Sequence, residues 1–227
     1  MYASNVEECA NENIVPVSTF TYRQMFVNDF NFGFGPPKTD TCAVCDVGSN
    51  EEHVAKYKKA FDVQKSNREN AKANEKIIYL TFDLQKTLPL PKISTSKAFY
   101  VRQVWLYNLG IYLISTQQNG KGFFHVWTED QGSCGPEEIG SSLMAFLENT
   151  KDQAIAPDHL IAWSDSAGGQ NKKNYIVCLW HYLINSGVFR KIDHTFPEVG
   201  HTFMDSDRDF AAVEKSIRKH QSIYTID

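Results

Sequence analysis

The chain has no run of apolar residues approaching the roughly 20 that a membrane-spanning helix needs, so no membrane partner is expected. It has no Walker A pattern and no GxGxxG, which leaves a nucleotide-cofactor reading without support. Cysteine is scarce: there are five, at 9, 42, 45, 134 and 178, an odd number with one close pair. That usage suits a reducing compartment better than a disulfide framework. The first residues, MYASNVEECANEN, are acidic and polar and do not form a secretory signal, so a nuclear or cytoplasmic location is expected. A basic excess is also missing. Lys and Arg number 23 against 27 Asp and Glu, a net charge of −4. Stand-alone nucleic-acid binders are usually basic. A nucleic-acid partner would therefore require site charge balanced by metal, local positive surface or a separate binding domain. No internal repeat and no low-complexity segment is found.

What is present is a globular composition. The 227 residues are 42% hydrophobic and 22% charged, enough for one core of about 150 residues and a smaller appendage. A short helix is expected at 19–29, then a break at NFGFGPPKTD, a CAVC motif at 42–45, and a polar helix over 51–75 with a thin apolar stripe at Val54, Tyr57 and Phe61. A boundary near 76 separates this N-terminal helical region (1–76) from a second domain (77–227). There IIYLTFDL (77–84) reads as a strand, with Ile78, Leu80, Phe82 and Leu84 on one apolar face and Asp83 on the other.

A Pro-flanked loop follows, and then STSKAFYVRQVWLYNLG reads as a helix stopped by Gly110. IYLIST (111–116) and GFFHVWTE (122–129) flank an Asn119-Gly120 hairpin signal. Helices are expected at 136–149, 169–187 and 206–220, with strands at 159–165 and 188–196. Without the inserted helix, the order from 77 is β-β-β-α-β-α-β-α. This is the order of an α/β, RNase H-like mixed sheet, in which the first and fourth strands are neighbours.

The acids fall where that order makes them useful. Asp83 is the only charge in the first strand, and a lone carboxylate there is costly unless paired, hydrated or metal-bound. Asp165 ends the fourth strand, so the two carboxylates would lie side by side and repel unless a divalent cation intervenes. Oxygen ligands favour Mg²⁺ or Mn²⁺, and two such ions about 3.5–4 Å apart are the expected cofactors. The third acid is Asp207 or Glu214. They share one margin of the last helix but lie about 10 Å apart along its axis, so both would not ligate one ion directly. Asp207 is slightly preferred because His201, six residues earlier, would sit over the same site as a proton shuttle or product-release residue. Gly169, Gln170, Asn171 and Lys172, read as the polar start of a helix beside Asp165, are candidate phosphate ligands through their N–H groups and side chains. Cys42 and Cys45 supply half a zinc site, with His53 and Cys9 as further candidates for Zn²⁺.

FDLQKTLPLPKISTSKAFYVRQVWLYNLGI, WTEDQGSCGPEEIGSSL, WSDSAGGQNKKN and GHTFMDSDRDFAAVEK, with FGFGPPKTDTCAVCD upstream, resemble successive blocks of a eukaryotic, transposon-encoded family of unknown function that is abundant in insects. The resemblance covers about residues 20–220. It implies an RNase H-like, DDE transposase-type core with an acidic triad on Asp83, Asp165 and Asp207 or Glu214. Members often carry Asn-Cys after the second Asp, where Ser166-Ala167 stand here, and Gly where Ala211 stands; neither change removes a carboxylate.

The leading expectation is therefore metal-dependent DNA strand cleavage and transfer. Transposon ends are the expected partner, and an oligomer is compatible with it. Because the chain ends soon after the last helix, a truncated or decayed element copy is expected. A domesticated, non-catalytic nucleic-acid or protein interaction module is the non-enzymatic alternative. An RNase H-like 3′–5′ exonuclease is the second, although that class tends to carry Asp-x-Glu where Asp83 is followed by Leu84 and Gln85.

Overall fold

The computed structural model describes residues 2–28, 42, 51–95, 100, 102–149, 157–167, 169–172, 174–198, 200–201 and 204–224. They fall into two compact units, Met1–Thr41 and Cys42–Asp227. The first holds helices α1 (Tyr2–Asn11) and α2 (Thr19–Asn28). Ser18 starts α2 by accepting the Thr21 N–H on its hydroxyl at 3.1 Å, as an N-cap does. The sequence predicts α2 but not α1, whose apolar positions are sparse and none of whose residues is buried.

In the second unit, α3 (Glu51–Ala73) precedes β1 (Ile77–Leu84), β2 (Leu88–Leu90), β3 (Val104–Ile114), β4 (Asn119–Thr128), α4 (Pro136–Asn149), β5 (His159–Ser164), α5 (Asn174–Asn185), β6 (Lys191–Thr195) and α6 (Asp205–Lys219). The strands form one open mixed sheet. β1 runs antiparallel to β3, and β3 antiparallel to β4, while β1, β5 and β6 are parallel neighbours. β2 pairs with the first residues of β3, on the side that β1 takes up further along. The result is a mixed α/β fold with alternating strands and helices in its second half, broadly compatible with the RNase H-like arrangement expected from the sequence.

The period-2 pattern of β1 decides which helices cover which face. Ile78, Leu80 and Phe82 enter the main core with Leu109, Ile111 and Leu113 of β3, Ile139, Leu143 and Leu147 of α4, and Ile176, Trp180 and Leu183 of α5. Each large side chain fully buried there contributes about 1.5–3 kcal/mol. The opposite face buries Tyr79, Ile114, Ile161 and Trp163 against Ala71 of α3. α6 also lies on that face, because its Phe210 and Ser206 sit against Gly110 of β3, the register partner of Asp83.

Two local expectations are corrected. Residues 104–110 form the first half of a long strand rather than the end of a helix, and Gly110 sits inside that strand rather than stopping a helix. VWLYNLGIYLI is rich in aromatic and β-branched residues, and its alternate residues Leu109, Ile111 and Leu113 enter one core. The expected hairpin exists, but Asn119-Gly120 is not its turn. Ser115 and Gln118 close the turn by exchanging backbone hydrogen bonds of 2.8 and 3.3 Å. Gly120, at φ +92°, falls where the β3–β4 register shifts, as the extra residue of a bulge. Gly187, at φ +71°, does close α5 as expected.

Candidate functional site

Three elements meet at Asp83. β5 lies beside β1 with Phe82 opposite Ser164, so Asp165, the next residue, follows in register with Asp83 on the same face. On the other flank Gly110 faces Asp83. Because Gly110 has no side chain, α6 comes down close to the sheet, with Asp207 in its first turn. Burial, then the nearby charge of Asp165, then that of Asp207, push the Asp83 carboxyl up to about 7. Burial also raises Asp207, against the Met204 N–H that donates to its Oδ2 at 2.8 Å.

Each carboxylate has one oxygen anchored. Asp83 Oδ1 accepts the Leu84 N–H at 2.9 Å. Asp165 Oδ1 accepts the Ala167 N–H at 3.3 Å and the buried Asn171 amide. The second oxygen of each acid accepts no hydrogen bond among the described residues. Asp83 and Asp165 are half-buried and Asp207 is exposed, and among the described residues these three acids do not form a group whose ligand atoms all lie within 4.8 Å of one another. Glu214, two turns further along α6, pairs with Arg218 at 3.4 Å and is 40% exposed.

A chain of hydrogen bonds fixes the end of β5. Trp180 Nε1–H donates to His194 Nδ1 at 3.1 Å, so the proton of the neutral ring is on Nε2, which donates to Ser164 Oγ at 2.9 Å. Ser164 in turn donates to the Asp165 carbonyl at 3.2 Å. Burial pushes His194 down to about 4. Its folded value lies below the ordinary 6.5, so the folded state resists protonation, and stability is lost as pH falls from about 6.5 through 4. The expected loss is about 2–3 kcal/mol at pH 4. Urea unfolding of wild type and His194→Gln at pH 7, 5 and 4 checks it. The difference between them should shrink on acidification, and the comparison cancels the opposite trend contributed by Asp83. A constant difference would mean that His194 is not held neutral.

Of the residues expected to bind phosphate, Gln170, Asn171 and Lys172 direct their N–H groups into the fold. α5 begins at Asn174, and the N–H groups of Gln170, Asn171 and Lys172 converge on the Ala167 carbonyl at 3.2, 3.0 and 3.3 Å. The Gly169–Lys172 segment is therefore a turn with inward N–H groups rather than an open helix start. Gln170 donates to the Cys134 carbonyl at 2.9 Å, and the Lys172 ammonium lies 4.8 Å from the Phe196 ring centre.

A second cluster forms around the first cysteine of the CxxC. Cys42, His53 and His201 present ligand atoms within 4.8 Å of one another, making a potential metal-binding site. Cys45 lies outside the described residues, and Cys9 belongs to the other compact unit. His201, expected over the acids, has its Nε2 3.1 Å from His53 Nε2 and its ring stacked on Tyr57 at 4.1 Å. Sequence reasoning finds Cys42 and His53 but not this partner, because 148 residues separate the two histidines and no spacing rule links them. Ser164, Asn171 and His194 also escape it as supports of Asp165. Only the polarity of Ser164, at the end of a largely apolar strand, is a signal; His194 lies on the mostly polar strand KIDHT and does not stand out.

Fold and sites thus define a mixed α/β protein with a potential Cys/His metal-binding cluster, and with Asp165 and Asp207 near enough to Asp83 to raise its carboxyl. The chain belongs to the family described as Domain of unknown function (DUF7869), which it matches over residues 110–227. The match takes in Gly110, Asp165, His201 and Asp207, while Cys42, His53 and Asp83 precede it. No curated protein and no solved structure matches the chain. Among the described residues no helix is long and apolar enough to cross a membrane.

Proposed function

We propose that this chain carries an RNase H-like nuclease core of DDE transposase type, from residue 77 onward, that cleaves and transfers DNA strands at transposon ends. The reading rests on the electrostatic influence of Asp165, at the end of β5, and of Asp207, at the start of α6, on Asp83 of β1. The strand order β4-β3-β1-β5-β6, with β4 and β3 antiparallel and β5 and β6 parallel to β1, supports the fold assignment. Mg²⁺ or Mn²⁺ held by these acids would supply an activated water or 3′-hydroxyl and stabilise the leaving oxygen. The protein's own part is to hold the three carboxylates fixed: Asn171 and the His194–Ser164 chain orient Asp165, and the α6 start orients Asp207. Asp207 is favoured over Glu214 as third acid because it acts on Asp83 electrostatically, whereas Glu214 is paired with Arg218.

The exonuclease alternative loses ground on one observation. Gln85, where that class tends to carry a second acid, is buried and accepts the Asn108 amide at 2.8 Å. The test is purified protein with Mn²⁺ or Mg²⁺ and duplex and single-stranded oligonucleotides. Internal nicking that is lost in Asp165→Asn and kept in Glu214→Gln is expected. Stepwise shortening from a 3′ end would replace this reading with the exonuclease. DNA or protein binding with no cleavage under any metal would replace it with a non-catalytic module.

A further inference from the structure

We propose that Cys42, His53 and His201 supply three of the four ligands of a zinc ion that fixes the chain leading into α6. The inference rests on the nuclease reading only for the consequence at Asp207. His53 Nε2 lies 3.3 Å from Cys42 Sγ and 3.1 Å from His201 Nε2. Around a tetrahedral zinc, bond lengths near 2.05 and 2.3 Å place two such nitrogens about 3.3 Å apart and a nitrogen and a sulfur about 3.6 Å apart. The observed separations are close to two edges of that tetrahedron.

Hydrogen bonding alone accounts for them poorly. An imidazole nitrogen carries either one proton or one in-plane lone pair, so His53 Nε2 cannot make two well-directed bonds at once. One cation between the three atoms satisfies all of them. A mixed nitrogen and sulfur set selects zinc over magnesium or calcium. The Glu198 carboxylate lies 3.8 Å from Nδ1, the other ring nitrogen of His53, the place where a carboxylate orients a metal-bound imidazole.

The surroundings are built for closeness rather than for substrate access. Cys42 and His53 are only 8% and 9% exposed. Gly200 sits against Cys42 at φ +83°, where an added Cβ would stand 2.9 Å from Cys42 Cβ and 3.1 Å from its Cα. Only glycine allows the chain to turn there and deliver His201. His201 is four residues before Asp205, whose carboxylate holds Arg68 of α3 at 3.0 Å, and six before Asp207. The metal would thus join the first turn of α3 to the approach of α6 and set where α6, with Asp207 in its first turn, begins.

The test is metal analysis of the full chain purified without chelator. About one zinc per chain is expected. Cobalt substitution should give tetrahedral d–d absorption with a thiolate-to-metal charge-transfer band, and Cys42→Ser should lose that band. Chelation should lower the thermal midpoint by about 10 °C, restored by zinc and not by magnesium. His201→Gln, a second variant against misfolding, should lose zinc while retaining the wild-type far-ultraviolet circular dichroism. Asp165→Asn should retain zinc, so a failed nuclease with zinc present leaves this proposal standing. Wild-type protein that is folded, nicks DNA, and neither holds zinc nor takes up cobalt would overturn it alone.

Discussion

Asp83→Asn should make the metal-free protein more stable while abolishing metal-dependent cleavage. The folded carboxyl titrates at about 7 against an ordinary 3.8, first because it is buried and then because Asp165 and Asp207 repel its charge. Between those values the folded state holds more protons than the unfolded chain. Stability therefore falls as pH rises from about 4 through 7, and the deficit is complete above 7. Each tenfold change in acidity between the folded and unfolded chain corresponds to about 1.4 kcal/mol, so at pH 8 the charged group costs roughly 2–4 kcal/mol. Asparagine removes the charge and keeps an oxygen for the Leu84 N–H. A rise of roughly 5–10 °C in thermal midpoint is expected at pH 8 without divalent metal, shrinking towards pH 4. Mn²⁺ should stabilise wild type more at pH 8 than at pH 6, because the ion competes with the proton, and should do little for the variant.

Nicking should fall by about a thousandfold or more, since such a site accelerates the reaction chiefly by electrostatic support of the reacting oxygens. Calorimetry with and without Mn²⁺, beside the nicking assay, gives both readouts. A metal-free variant less stable than wild type at pH 8 would mean that ionised Asp83 is structural. Retained nicking would remove it from the chemistry.

This split between stability and function is also what makes Asp83 visible in the sequence. A single charge on a strand whose other face is wholly apolar breaks the pattern that gives the strand its place, and a break of that kind marks a site. Asp165 is legible for a related reason, because it closes a short apolar strand just before a glycine-rich turn. Supports that come from distant chain leave no such trace. His194 and Trp180 reach Asp165 through Ser164 across a parallel strand pair and an intervening helix, and none of their spacings encodes the contact. The metal cluster is a stronger case: Cys42 and His53 are near in sequence, but His201 arrives from the far end of the fold. The first half of β3 imitates a helix in the sequence because it lacks a clear burial alternation. Val104 and Trp105 are exposed, and only from Asn108 onward is the strand mostly buried.

Gly110 likewise imitates a helix stop, and its true role supplies a second prediction of comparable size. A Cβ at this position would stand 2.7 and 2.8 Å from Phe210 Cζ and Cε1 and 3.0 Å from Ser206 Cβ. The Phe210 ring is only 6% exposed and has little room to retreat, and Ser206 Cβ is fixed to the helix backbone. Gly110→Ala gains about 0.4–1 kcal/mol by restricting the unfolded chain, but overpacking costs about 1–3 kcal/mol, so a net loss is expected. Gly110→Val adds two methyls against the helix and should cost about 3 kcal/mol or more.

The functional loss should exceed what the stability loss explains. Lifting α6 off β3 carries Asp207 away from Asp83, so nicking should fall at least tenfold under conditions where the variant remains folded. Phe210→Leu shortens the side chain at the point of collision and should partly restore Gly110→Ala. The double variant should then be more stable than the sum of the single losses predicts, by about 1 kcal/mol. Urea unfolding of the four proteins in that cycle, with nicking measured on each, tests the geometry directly. Additive losses, or a Gly110→Val protein as stable as wild type, would mean that α6 does not rest on Gly110, and the assignment of Asp207 as third acid would fall with it.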